Sequence, residues 1–387
     1  MAKARVASAT QSKIGMLIYG EQFTGKSTMA MQFAYFKRPD GKPFRVLYLD
    51  PETGSIDDYL GELEEKGIDL RNIYIVYTQS LAEVEQYISK VKNHEDIYEL
   101  DDEGNETETV LVDADGEPFR ADAIVIDGST ILNLTAKQGL VEFSKKRNKV
   151  KADAAGLIGD ARLVKIEGSG MELRDYQVIN YKGQNLILDL AASGVHYIVT
   201  AREKDKTESV KGSDGSVNSV STGKKIPDGF KDMGYNAKTV IRMFRDEDGQ
   251  VCAHVEKDRT HVHEDNSIIE DPTLLDWQKI IDKTANNKVF VVKNDLVKSV
   301  EVEQDLYTRE VMGSVGEPVS NVSPSDPTPS PENEVATLKA TIKEKIAALS
   351  PVDKTKVKDS LTKAGLPTTF KNETDVEKLK KIIEVIG

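Results

Sequence analysis

One segment constrains this chain more than any other: Gly20-Glu21-Gln22-Phe23-Thr24-Gly25-Lys26-Ser27, which fits the pattern GxxxxGK[ST]. The apolar run IGMLIY, Ile14 to Tyr19, precedes it and reads as a buried strand. Lys26 to Phe36 follows as helix-compatible sequence, with Met29, Met31 and Phe33 to form a packing face. Strand, glycine loop and helix in that order build a phosphate cradle. The loop residues Gly20, Glu21, Gln22, Phe23, Thr24 and Gly25 turn backbone N–H groups inward, and the helix opened by Lys26, Ser27 and Thr28 points its positive end at the same place. Lys26 is expected to reach the β- and γ-phosphates of ATP, and the Ser27 hydroxyl to ligate Mg²⁺.

The pattern of the rest agrees with an α/β fold. Apolar runs at Arg45 to Asp50, Ile73 to Tyr77, Ala123 to Thr130 and Val195 to Ala201 read as strands, and stretches such as Ser55 to Lys66 and Leu81 to Lys92 between them read as helices. That alternation implies a mostly parallel sheet covered on both faces. Two segments interrupt it. Residues 97–120 read as an inserted hairpin, with turn signals at Asp102–Gly104 and Asp115–Gly116. The Gly-, Ser- and Lys-rich stretch near 203–229 reads as a mobile loop. Thr239 to Phe244 and Val251 to Val255 form a second hairpin through Asp246–Gly249.

A chain of 387 residues has room for more than one domain. Residues 1–300 are expected to form the ATPase core, 301–334 an acidic and then Pro/Ser-rich linker, and 335–387 a small domain of three helices. Val335, Leu338, Ile342, Ile346 and Leu349 recur at helical spacing, Ser350–Pro351 opens a second helix, and a third runs from about Asp375 to Ile386. No run approaches the ~18 apolar residues of a membrane span. The single cysteine, Cys252, fits a reducing cytoplasm.

Three sets of side chains complete a candidate catalytic site. Asp127 closes the apolar strand Ile124 to Ile126, where an aspartate beside a phosphate loop can hold the water shell of Mg²⁺. Asp50 and Glu52 follow the second strand in LDPET, and a carboxylate there can deprotonate the attacking water. Spacing alone does not choose between them. Lys257 and Arg259 lie in CAHVEKDRTHV on alternate positions of a late strand.

The order of phosphate loop, strand closing in Asp-x-Glu, and apolar strand ending in Asp-x-Ser resembles the ATPase core of RecA-like proteins. More closely, it resembles phage-encoded RecA-like ATPases, a group that includes the Sak-type single-strand annealing recombinases. The resemblance spans about residues 12–265. It implies that Glu52, rather than Asp50, is the catalytic base. It implies a γ-phosphate sensor at Thr200 or Arg202, since the usual Asn-Gln is missing from VHYIVTAREK. It implies that Lys257 and Arg259 act in a neighbour's ATP site, so that the working form is a homo-oligomer, ring or filament.

The same resemblance implies single-stranded DNA as partner, bound by two regions. One holds Lys145, Lys146, Arg147, Lys149 and Lys151; the other holds Lys204, Lys206, Lys211, Lys224 and Lys225. The net charge of -13 pulls the other way and keeps open an ATP-driven assembly or switch protein that grips a protein partner. The lysine-rich C-terminal helices would suit DNA or a single-strand-binding protein.

Overall fold

The computed structural model describes residues 13–211, 216–284, 296–311, 339, 342, 345, 357, 360–364, 367 and 375–386. Two compact units emerge, Met1–Gln304 and Asp305–Gly387.

The first unit is built on a nine-stranded sheet. Its strands are β1 (Gly15–Gly20), β2 (Val46–Asp50), β3 (Ile73–Tyr77), β6 (Ala123–Asp127), β7 (His196–Lys211), β8 (Val217–Asp228), β9 (Thr239–Arg245), β10 (Val251–Asp258) and β11 (Ile268–Glu270). The order is β11-β10-β9-β1-β7-β6-β2-β3, with β8 paired to β7. From β9 to β3 every neighbour pair is parallel. The antiparallel pairs are β9–β10, β10–β11 and β7–β8. The mostly parallel α/β sheet that the alternating pattern implies is therefore present.

Both faces of this sheet are covered, and the strand sequences show why. Residues alternate between faces along a strand. Leu17 and Tyr19 of β1, Leu47 and Leu49 of β2, and Ile124 and Ile126 of β6 enter one core. They pack there with residues of α3 (Leu81–Asn93), α4 (Ser129–Ala154) and α6 (Leu173–Ala192). The alternate residues Met16, Ile18, Val46, Tyr48, Ala123 and Val125 enter a second core. Its other side is supplied by α1 (Lys26–Met31), the 3₁₀ turn Gln32–Tyr35, α2 (Asp57–Glu65), the 3₁₀ turn Leu274–Trp277 and α8 (Gln278–Thr284). Strands buried on both faces read as continuous apolar runs, as IGMLIY and AIVID do. Each fully buried Leu or Ile contributes roughly 1.5–3 kcal/mol.

Residues 97–120 carry two short turns, β4 (Tyr98–Leu100) with β5 (Glu106–Val110), and a bridge from Val112 to Pro118. A short α5 (Gly159–Glu167) follows α4, and α7 (Met233–Asn236) is a single turn before β9.

The stretch near 203–229, expected as a loop, is instead a long antiparallel ribbon formed by the outer half of β7 and β8. Composition misled because most of the ribbon beyond its base is exposed on both faces. The backbone ladder holds it, with small additions from cross-strand pairs, Lys204 with Asp228 and Lys225 with Asp205, each at 2.9 Å. Polarity there reflects two wet faces, not lack of structure.

The expected linker also needs correction. Its acidic first part is the end of a helix, α9 (Leu296–Val311); residues 312–334 lie outside the described set. In the second unit Ile342, Leu361, Leu379 and Ile382 form a small buried cluster, and α10 (Val376–Ile386) carries the last two of these. Among the described residues no helix is long and apolar enough to cross a membrane.

Candidate nucleotide site

The phosphate loop leaves β1 at the carboxyl end of the parallel strands, where α/β sheets place their ligands. Gly20 has φ 145, and a Cβ there would lie 1.9 Å from the Met243 carbonyl oxygen of β9. Only glycine fits, and the close approach is used: the Glu21 N–H donates to that same carbonyl at 3.1 Å. Gly25, at φ 79, is the N-cap of α1 and brings no side-chain cap. The N–H groups of the first turn are thus left for an anion. Thr24 is buried and ties the loop to itself through Oγ1 to the Glu21 carbonyl, 2.9 Å. Phe23, at the tip, is 87% exposed, with positive φ of 58.

Lys26 Nζ donates to the carbonyls of Gly20 at 3.2 Å and Glu21 at 2.5 Å. Burial lowers its pKa from the usual lysine value, while Asp127, Glu52 and Glu203 oppose that shift. Those three carboxylates are therefore its electrostatic neighbours. Ser27 is half-buried one residue on.

Asp127 ends β6 and is 3% exposed. Its Oδ1 accepts from Thr200 Oγ1 at 2.5 Å, and its Oδ2 accepts from Tyr48 Oη at 2.5 Å and Ser55 Oγ at 2.6 Å. A carboxylate has about four acceptor positions, so one remains after these three hydroxyls. Asp127 and the Ser27 hydroxyl are hard oxygen donors of the type Mg²⁺ takes, so the residues present fit that ion. Burial and the neighbouring Asp127 charge push the Tyr48 hydroxyl well up, so it stays a donor.

Asp50, which ends β2, and Glu52, two residues on, separate cleanly. Asp50 is fully buried and accepts backbone N–H groups of Glu52 (3.0 Å), Gly54 (2.8 Å) and Ser55 (3.1 Å), so it shapes the turn. Glu52 projects beyond it, and its Oε1 accepts from Arg202 Nε at 3.0 Å and lies 3.0 Å from Nη2. Gly128 makes room for it: a Cβ on Gly128 would stand 2.6 Å from Glu52 Cγ. The turn after β6 is pinned by Ser129 Oγ, which donates to the Thr200 carbonyl at 2.7 Å, and the Arg202 N–H donates to Thr130 Oγ1 at 2.9 Å.

Lys26, Ser27, Glu52, Asp127, Thr200 and Arg202 thus share one end of the sheet. Lys257 and Arg259 do not. Lys257 pairs with Val240, which is level with Leu17 of β1, three positions before Gly20, or roughly 10 Å along a strand. Its Nζ donates to the carbonyls of Gly234 (2.7 Å) and Tyr235 (3.1 Å), while Arg259 is exposed. They stand away from their own phosphate loop.

The lysine-rich regions are partly neutralised. Lys145 pairs with Glu142 and Glu167, and Lys151 with Glu172. Arg147 binds Asp175 through both terminal nitrogens, at 3.1 and 2.6 Å. On the ribbon Lys204, Lys206 and Lys225 face Asp228, Glu208 and Asp205. Among the described residues, no ion pair engages Lys146, Lys149 or Lys224.

Sequence reasoning missed Tyr48, Ser55 and Gly128. Tyr48 and Ser55 sit in strand β2 and its turn, and only a folded sheet brings them to Asp127. Gly128, directly after the strand-ending aspartate, carried a readable signal. No family model and no curated protein matches the chain. Among solved structures it is similar to a KaiC-like protein from the hyperthermophilic archaeon Pyrococcus horikoshii OT3, at 17% identity and TM-score 0.33, over 66% of this chain and 88% of that one.

Proposed function

We propose that this chain is a Mg²⁺-dependent ATP hydrolase of the RecA-like kind, completed between neighbouring subunits and coupled to single-stranded DNA. The observation that carries the reading is the placing of Lys26, Asp127 and Glu52 at one end of the parallel sheet, beside a glycine loop whose N–H groups have no side-chain cap. The loop and Lys26 hold the β- and γ-phosphates. Ser27 and Asp127 would hold Mg²⁺, which would supply positive charge beside the phosphates. Glu52 accepts a proton from the attacking water. Arg202 fixes the Glu52 carboxylate and can also meet a γ-phosphate oxygen, while Thr200 senses the same point through Asp127.

Lys257 and Arg259, set away from their own loop, enter the site of the next subunit, which makes a ring or filament the active form. Single-stranded DNA contacts the outer ribbon and α4 through Lys146, Lys149 and Lys224, whose charge no ion pair consumes. Such a protein would promote strand annealing or exchange, in the cytoplasm of a bacterial host if phage-encoded, with the C-terminal unit recruiting a single-strand-binding protein.

The neutralisation of Lys145 and Arg147 favours a second reading, an ATP-driven assembly or switch protein that binds a protein partner. Steady-state ATP hydrolysis by the wild type and Lys26→Ala, with and without single-stranded DNA, separates the two. We expect DNA to stimulate the wild type, and Lys26→Ala to lose about 10²–10³-fold in turnover under both conditions. Turnover indifferent to DNA favours the second reading, and no Mg²⁺-dependent turnover at all sinks both. Lys146→Ala and Lys149→Ala should each lower the salt slope of strand binding by about 1. They are cleaner variants than Arg147→Ala, which would unpair the Asp175 carboxylate of the α6 capping box.

A further inference from the structure

A cavity of about 840 Å³ lies on the face of the first unit between α4, α6, the base of the β7–β8 ribbon and the turn from Gly229 to Tyr235. No residue from Gly20 to Thr28 lines it. Its floor is apolar, made by Ile179, Phe230, Met233 and Val240, all of them buried. Two aromatic rings stand at its rim, Tyr176 at 49% and Tyr235 at 77% exposure.

The walls are built rather than incidental. Gly183 of α6 lets the helix close on Phe230, since a Cβ there would lie 2.3 Å from the Phe230 Cβ. Lys257 pins the Gly234–Tyr235 turn through its two carbonyl bonds. Glu256 accepts from Tyr19 Oη at 2.5 Å and is thereby fixed to β1.

The charge of the lining is positive in a chain whose net charge is -13. Lys137, Lys204, Lys206, Lys231 and Arg259 face it with only Asp232 and Glu256 as carboxylates among the lining residues. Lys204 and Lys206 are answered by Asp228 and Glu208 outside the lining, whereas Lys137, Lys231 and Arg259 enter no ion pair among the described residues. The volume falls in the range of small-molecule sites, roughly 300–1,000 Å³, which combine an apolar floor with a few charged groups.

We propose that this cavity is a second ligand site, separate from the phosphate loop, for a small phosphate-bearing aromatic molecule of the nucleotide class. The floor and the two tyrosines receive a flat base, with ring contacts of the kind aromatic side chains favour. Lys137 and Lys231 receive the phosphate oxygens as charge-assisted donors. The proposal goes beyond the hydrolase reading and can fail independently of it.

The test is calorimetric titration of the full chain with ADP and Mg²⁺. Wild type should take up two equivalents. Lys26→Ala should lose the phosphate-loop equivalent and keep the other. Lys137→Glu/Lys231→Glu should keep the phosphate-loop equivalent and weaken the second at least tenfold. Tyr235→Ala, at an exposed position and so safe for folding, should weaken that second site several-fold. Uptake of one equivalent by wild type that is lost in Lys26→Ala overturns the proposal, and so does a second equivalent that neither charge reversal nor Tyr235→Ala affects. If ADP stops at one equivalent while an oligo-dT strand binds in a manner lost in Lys137→Glu/Lys231→Glu, the cavity serves a strand and the nucleotide proposal is overturned. ATP hydrolysis by Lys26→Ala reports on the phosphate loop alone, so the two readings fail separately.

Discussion

The two halves of β7 form a sharp contrast. From His196 to Ala201 the strand is buried between β6 and β1, and it delivers Thr200 to Asp127. From Glu203 to Lys211 the same strand runs beyond β1, pairs with β8 alone and is mostly exposed. Arg202 stands at the junction, holding Glu52. In the inner half, polar atoms are few and every one near Asp127 has a partner, because an unpaired polar group in that setting costs free energy. In the outer half, charges face each other across a ribbon where water screens them, so each pair contributes little. One continuous strand therefore holds both a stiff frame for chemistry and an arm whose sequence is free to vary in charge without endangering the fold.

The contrast is most easily broken at the chemistry end. Glu52→Gln should keep nucleotide binding and lose about 10²–10⁴-fold in turnover, measured as kcat for ATP hydrolysis; an unchanged kcat would remove Glu52 as the base. Gly128→Ala places a methyl against Glu52 Cγ and should cost on the order of 10²-fold in kcat by displacing the carboxylate, with nucleotide affinity changed far less. Equal losses in both would show that the substitution disturbs the loop as a whole.

Smaller effects sharpen the comparison between the halves. Thr200→Val leaves Asp127 Oδ1 without its hydroxyl partner in a buried setting and should destabilise the protein by about 1–3 kcal/mol in denaturant unfolding. Lys204→Ala, two pairs of positions along the strand, removes an exposed ion pair with Asp228 and should shift stability by only about 0–1 kcal/mol. If Lys204→Ala proved as damaging as Thr200→Val, the ribbon would be part of the cooperative core after all.

β1, β2 and β6 were legible as apolar runs because burial on both faces disfavours polar residues in them, and they follow IGMLIY, RVLYLD and AIVID closely; the edge strand β3 is only partly buried yet keeps the apolar run IYIVY. The ribbon was not legible for the opposite reason: a strand wet on both faces has no apolar period to read, and its glycines and serines resemble a loop. The α4 lysines looked like one basic patch because sequence shows Lys145 to Lys151 side by side but not Glu167, Glu172 and Asp175, which arrive from the next two helices.

By itself, the sequence determined the phosphate loop, the strand that carries it and the carboxylate that closes β6, since each depends on backbone conformation or burial within a few residues. Only the tertiary structure gave Asp50 and Glu52 their different surroundings. It spends Asp50 on three N–H groups of its own turn, surrounds Asp127 with hydroxyls from β2 and β7, and turns Arg202 onto Glu52 across 150 residues of chain. Such assignments depend on which strands become neighbours in the sheet. That is a non-local property, set by packing of the whole apolar core rather than by any single motif.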